Sequence, residues 1–359
     1  MTITKFSAIN FRNLLVENLT FKPGLNILHG RNAQGKTNIL EAIYFSAFGR
    51  AFRGKSDSEL VKWDEKDSMI RIETEKDGLG YVTDVHIEKF GKKVSKCFSI
   101  DRLPVKHMKD LFGRLLVVMF GPEDLRLIKS GPSERRRFMD MEICQLSPVY
   151  YNDIKEYHRI LKHRNALLKN LQKDRSCIDT LCAWDEQLVF YAGRINKIRG
   201  GFVEKINAVA NDIYKNITGG EEISLVYKPS LISSDCLKKN RDKDIYRGTT
   251  SEGIHMDEIE FGINGASARS FASQGQQRSA ALSAKLAEIS IIKEATGQDP
   301  ILLLDDVLSE LDSYRQEFLL SFVIAQQTIL TATGVNELLN KVSGKYNIKH
   351  VVEGQVRCQ

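Results

Sequence analysis

The chain has 359 residues, 42% hydrophobic and 27% charged, with a formal net charge of +6. This composition excludes global disorder and fits a core-forming protein of one large domain or two. No apolar run approaches the roughly 20 residues of a membrane span, and the start, Met1-Thr2-Ile3-Thr4-Lys5, lacks the apolar stretch of a secretory leader.

In chain order, Thr2–Asn10 and Leu14–Phe21 read as strands, Pro23-Gly24 as a turn and Leu25–Leu28 as a short apolar strand. A glycine-bounded loop, Gly30–Lys36, leads into a segment from Asn38 to Phe48 with helical apolar spacing. Residues 69–100 alternate as antiparallel strands around an Asp77-Gly78 turn, and Leu115–Phe120 is a buried strand. From Pro148 to Ile217 the pattern is helical, with a polar break at Lys173–Ser176 that folds two helices back on each other. The second helix spans about 35 residues, or ~50 Å; an arm outside the main body and a helical subdomain packed on it both fit. Residues 229–253 read as a polar loop, and a second α/β stretch follows from 257. The domain boundaries expected are 1–120, 121–253 and 254–359. The six cysteines form no CxxC pair and no zinc pattern, which points to reduced thiols.

Gly30-Arg31-Asn32-Ala33-Gln34-Gly35-Lys36-Thr37 satisfies every fixed position of G-x-x-x-x-G-K-[ST]. The glycines let backbone N–H groups point at phosphate oxygens, Lys36 adds a cation, and Thr37 offers a hydroxyl to Mg²⁺. Ile301-Leu302-Leu303-Leu304-Asp305-Asp306 complements it: a buried strand delivers Asp305 to the metal and Asp306 to a water beside the terminal phosphate. Ser273-Gln274-Gly275-Gln276 opens an amphipathic helix and makes a second anion site. One nucleotide seldom needs two such sites in one chain. Ser273 is therefore expected to serve ATP bound by a second copy, giving a homodimer with ATP between its subunits.

With these three elements in this order, the chain resembles the ABC-type ATPase heads of the SMC class, and most of all the RecF family of bacterial DNA replication and repair proteins. The resemblance extends over nearly the whole length. It includes Phe11-Arg12-Asn13, Gly49-Arg50-Ala51-Phe52-Arg53, Pro122-Glu123-Asp124-Leu125, Glu134-Arg135-Arg136-Arg137-Phe138, Arg164-Asn165 and the D-loop Ser309-Glu310-Leu311-Asp312. It implies an α/β P-loop ATPase head built from both chain ends, with an inserted helical arm. It further implies a cytoplasmic ATPase, with ATP and Mg²⁺ as cofactors and Ser309 and Asp312 in the D-loop. Such a protein dimerises on ATP, binds gapped or single-strand/double-strand junction DNA, and works with RecR and RecO to load recombinase in repair and the SOS response. Three positions depart from pattern. Asp306 stands where general ABC ATPases have Glu, which suggests slow hydrolysis. Met256 replaces the Arg of the family's G-P-H-R-D-D. Thr331-Ala332-Thr333-Gly334 occupies the switch position, for which no catalytic role is expected.

The first candidates for DNA are Arg50 and Arg53, on an expected surface loop, because cations there give salt-sensitive, sequence-independent affinity. Arg135-Arg136-Arg137 and Lys162-His163-Arg164 are weaker candidates, and each cluster taken alone reads better as a solvated or ion-paired face. Three rival readings are each disfavoured. The size of the helical insert counts against a transporter ATPase subunit. The lack of [NT]-K-x-D and the unexplained Ser273 motif count against a P-loop kinase or GTPase. Intact Lys36, Thr37 and Asp305 count against a structural DNA-binding protein with a vestigial nucleotide site.

Overall fold

The computed structural model describes residues 1–53, 56–91, 93–323, 326–334 and 346–358. They fall into two compact units, one formed by Met1–Asp124 with Glu288–Gln359 and the other by Leu125–Ala287.

The first unit is an α/β head with two sheets. One is antiparallel, in the order Leu14–Thr20, Thr2–Phe11, Asp67–Lys76, Leu79–Phe90, Lys93–Ile100, Leu103–Pro104. The other has the order Gln355–Cys358, Tyr346–Val352, Leu25–His29, Thr328–Ala332, Ile301–Asp305, Val117–Phe120, and all its pairs are parallel except the first. Both ends of the chain therefore build the head. The helix Lys36–Phe48 touches strands of both sheets. That position explains why it is apolar nearly all round: Ile39, Leu40, Ala42, Ile43 and Phe45 are completely buried, as a helix between two layers must be. The expected apolar strands, Leu25–Leu28 and Ile301–Leu304, are fully or almost fully buried in the parallel sheet.

The second unit is the inserted helical arm. Pro148–Leu171 and Leu181–Thr218 pack as an antiparallel pair, joined through a break that includes the expected Lys173–Ser176. The second helix has 38 residues, about 57 Å at 1.5 Å per residue. A small sheet, Ala266–Ser267, Glu258–Ile263, Ile223–Lys228, accompanies them.

The expected loop at 229–253 is corrected: Ser234–Lys239 and Arg241–Arg247 are helices. Ser233 caps the first by accepting from Cys236 N–H, and Leu237 and Ile245 bury the few apolar side chains available. The segment's polarity is deceptive because Asp244 is itself interior, accepting from Arg164 at 2.9 Å.

Ion pairing takes Arg164 and Arg135 of the two weaker cationic clusters into the interior, while Arg137, Lys162 and His163 stay exposed. Arg164 is fully buried between Asp185 (2.7 Å), Asp244 and the Thr250 hydroxyl. Arg135 is buried in a bidentate pair with Glu258, and Arg136 donates to the Asp257 carbonyl. Arg135 and Arg164 thus have carboxylate partners, as a guanidinium taken out of water requires. Arg199 repeats the device, joining Asp140 (2.8 Å), Asp257 (2.6 Å) and the Ile254 carbonyl.

Candidate functional site

The loop Gly30–Thr37 connects the strand Leu25–His29 to the helix Lys36–Phe48, as the phosphate-loop reading requires. Gly35 has φ +106°, and a Cβ there would stand 2.9 Å from Asn13 Oδ1. Only glycine fits without strain. Asn13 also accepts from Asn38 Nδ2 at 2.7 Å, so the opening Phe11-Arg12-Asn13 motif braces the loop from behind. Lys36 folds back over its own loop and donates to the carbonyls of Gly30 (2.7 Å) and Arg31 (2.8 Å). Burial lowers its pKa, against the opposing attraction of Asp306 and Asp305.

The loop opens into a cleft of about 290 Å³ lined by Asn32–Asn38, Arg53, Asp305, Asp306, Thr331 and Thr333. The buried strand Ile301–Asp305 delivers Asp305 to its floor. Thr37 Oγ1 donates to Asp305 Oδ1 at 2.6 Å, and Thr331 Oγ1 donates to the same oxygen at 3.0 Å. The Arg53 guanidinium pairs with the other oxygen, Oδ2. Thr37 and Asp305 thus present two hard oxygen ligands side by side, a donor set that suits Mg²⁺.

Asp306 begins the next turn in the left-handed region, φ 50°. Its N–H donates to Thr331 Oγ1 at 3.0 Å. One hydroxyl, 26 residues further along the chain than Asp305, therefore holds both aspartates. Sequence alone gives Thr331 no part, because nothing in a Thr-Ala-Thr-Gly run indicates which strand lies beside it. Ser309 donates to the Asp306 carbonyl at 2.7 Å. Asp312 accepts from Arg315 N–H at 2.9 Å and pairs with the Arg315 side chain, capping the helix Ser313–Val323. These contacts draw its pKa down.

The structure separates the two arginines that the sequence groups together. Arg50 is exposed, with no ion pair among the described residues. Arg53 points into the cleft. Its backbone is fixed by Glu41, which accepts from Arg53 N–H (3.2 Å) and from both Nε (3.0 Å) and Nη2 (3.1 Å) of Arg12. Arg12 also donates to the Arg53 carbonyl. The Phe11-Arg12-Asn13 motif and the Gly49–Arg53 motif are therefore two halves of one brace, which aims Arg53 at Asp305.

In the second unit, Ser273 and Gln276 form a reciprocal cap on the helix Gln274–Thr296. Gln276 N–H donates to Ser273 Oγ (3.2 Å), and Ser273 N–H donates to Gln276 Oε1 (2.9 Å). Gln276 is held further by Glu221 at 2.8 Å, while Ser273 and Gln274 remain open to solvent. Met256, the departure from pattern, is solvent-exposed. Its neighbour His255 is tied to Tyr157 (2.9 Å) and the Thr250 carbonyl (3.1 Å).

A phosphate loop, an aspartate pair at the end of a buried parallel strand, an accompanying antiparallel sheet and an inserted helical arm together define an ABC-type ATPase head of the SMC class. Residues 2–356 match the RecF/RecN/SMC N terminal domain. The chain is 43% identical over 360 residues to the DNA replication and repair protein RecF of Lachnoclostridium phytofermentans, covering 99% of both chains. It is likewise 43% identical over 347 residues to RecF of Clostridium botulinum, covering 94% of each. The chain belongs to the RecF family of DNA replication and repair proteins. Among solved structures, a recombination mediator protein RecF with ATP, of the RecFOR pathway, is 33% identical with a TM-score of 0.89, over 99% of this chain and 96% of that one. An Smc head bound to the C-terminal winged-helix domain of ScpA shares the fold, at 15% identity and a TM-score of 0.57, over 99% of this chain and 96% of that one. Among the described residues, no helix is long and apolar enough to cross a membrane.

Proposed function

We propose that the chain is an ATP-switched, DNA-binding ATPase of recombinational repair. The observation that supports this best is the cleft itself, where Lys36, Thr37, Asp305 and Asp306 converge in a phosphate-binding arrangement. Gly30–Thr37 cradle the phosphates through backbone N–H groups, and Lys36 exchanges its two loop carbonyls for phosphate oxygens. Thr37 and Asp305 would hold Mg²⁺, which when bound would supply positive charge against the phosphates. Asp306 orients a water, and its short side chain keeps turnover slow. Arg53, aimed into the cleft by Arg12 and Glu41, serves the nucleotide; Arg50, unpaired and exposed, serves DNA.

ATP acts as a switch on assembly. Two copies meet with Ser273–Gln276 of one facing the nucleotide on Lys36 of the other, Ser309 and Asp312 lie at the junction, and hydrolysis separates them. The dimer binds gapped or single-strand/double-strand junction DNA in the cytoplasm and helps to load recombinase with RecR and RecO. The relatives' role in replication and repair, and the RecFOR assignment of the similar solved chain, support this reading.

The test is binding of purified protein to a gapped duplex with and without Mg-ATP, together with Lys36→Ala and Ser273→Arg. ATP should strengthen wild-type binding, and both variants should lose that gain. Indifference to ATP, or a Ser273→Arg protein that matches wild type, would overturn the two-copy switch.

A further inference from the structure

The helix Pro148–Leu171 turns one face to its partners and the opposite face to water. Asp153, Tyr157, Ile160, Arg164, Leu168 and Leu171 are buried. Lys155, Arg159, Lys162, Ala166 and Lys169 are exposed. Their spacing of four, three, four and three residues puts all five within about 80° of arc, centred opposite the buried side. No acidic residue falls within that arc. Arg159 pairs with Glu156 on the flank at 2.8 Å, while Lys155, Lys162 and Lys169 have no carboxylate within ion-pair distance among the described residues. The result is a straight row of bare ammonium groups. From Lys155 to Lys169 it is about 21 Å long, with a lysine every ~10.5 Å.

Two features say what such a row meets. The stripe contains no large apolar side chain, whereas protein interfaces concentrate aromatic residues and are depleted in lysine. Duplex DNA carries one negative charge per ~1.7 Å of axis, both strands counted, irrespective of sequence. A helix face with unpaired lysines in file is complementary in charge to that backbone, and sequence-independent contact needs no base-reading side chain.

We propose that Lys155, Lys162 and Lys169, with Arg159, form a contact on the arm that tracks the backbone of double-stranded DNA. The proposal rests on the DNA-binding reading above and extends it to a surface distinct from Arg50.

The test compares Lys155→Gln/Lys162→Gln/Lys169→Gln with wild type and with a charge-matched control, Lys62→Gln/Lys66→Gln/Lys106→Gln, altered at exposed lysines of the other unit. Each binds a fluorescent duplex with Mg-ATP across a salt series. Because the stripe lysines are exposed and unpaired, equal melting temperatures are expected. The stripe variant should lose about 2.7 from the magnitude of the log K against log[salt] slope, and weaken on the order of 10²-fold near 0.1 M salt. The control should keep the wild-type slope. Equal losses in both triple variants would reduce the effect to net charge and overturn the proposal. So would an unchanged slope accompanied by weaker retention on immobilised polyglutamate, which would assign the stripe to an acidic protein. A wild-type protein that fails to bind duplex even at low salt would bring down the DNA-binding reading as well. An unchanged slope in a wild type that does bind brings down the stripe alone.

Discussion

Thr331→Val removes the hydroxyl that links the two aspartates while nearly preserving shape. In the folded protein that hydroxyl donates to Asp305 Oδ1 and accepts from Asp306 N–H, both at 3.0 Å, with the side chain buried. A hydrogen bond to a charged group is worth about 1.5–3 kcal/mol, and a buried donor left unsatisfied costs about 1–3 kcal/mol. Valine recovers part of this by burying a methyl group, so a net stability loss of about 2–4 kcal/mol is expected. If the lost contact is felt mainly in the placement of Asp306 against its water, about 1.5–3 kcal/mol corresponds to a roughly 10- to 150-fold slower hydrolytic step. Nucleotide affinity should change little, because Lys36 and the loop amides are untouched. Urea denaturation, single-turnover ATP hydrolysis and fluorescent-nucleotide binding read the three quantities separately. Thr331→Ser restores the hydroxyl and should recover most of the rate. A valine variant with wild-type turnover and stability would refute the idea that one hydroxyl positions both carboxylates.

Arg164→Ala leaves Asp185 and Asp244 buried without their main cation, so roughly 3–5 kcal/mol of stability should be lost in urea unfolding. Near wild-type stability would mean that the network is not needed to hold the arm. His255 has its pKa lowered chiefly by burial from the ordinary 6.5. The unfolded chain therefore binds the proton first as pH falls, and stability should be level above about pH 7 and decline towards pH 5. His29 shifts in the same direction, so His255→Gln should flatten only part of that decline in a melting-temperature series; a steeper decline would reverse the sign argued here. Arg50→Ala should reduce the magnitude of the DNA salt slope by about one with nucleotide affinity unchanged. Arg53→Ala should do the reverse, and matching effects of the two substitutions would dissolve the distinction between them.

What is legible in the sequence is local in kind. Gly30, Gly35, Lys36 and Thr37 occupy one turn, and their spacing alone states the chemistry. The strand Ile301–Asp305 is equally plain, because four consecutive large apolar residues leave no exposed face. Partnerships across the chain are hidden. Arg53 meets an aspartate 252 residues away, so a guanidinium that reaches the nucleotide cleft looks like any surface cation. Arg135 and Arg164 are ambiguous for the same reason: Glu258, Asp185 and Asp244 give no sign in sequence of being their counter-ions. The helices at 234–247 escape a reading by periodicity because their stability comes from caps and from Asp244, with few apolar residues to show a period. The left-handed backbone of Asp306, a conformation that Asp enters more readily than most residues, is likewise visible only in the coordinates.

In the parallel sheet, Leu25–His29 lies between Thr328–Ala332 and Tyr346–Val352. Both neighbours of this early strand are synthesised long after it. At ~5–20 residues per second, the roughly 300 intervening residues take about 15–60 s to emerge from a ribosome. Until then the strand that carries the phosphate loop has no partner on either edge, and an unpaired apolar strand invites wrong pairings. The loop's geometry depends on that strand, so a half-made or truncated chain has no finished nucleotide cleft. Arrival of the late strands thus becomes a precondition for ATP binding, and fragments are kept from competing with whole protein for the nucleotide.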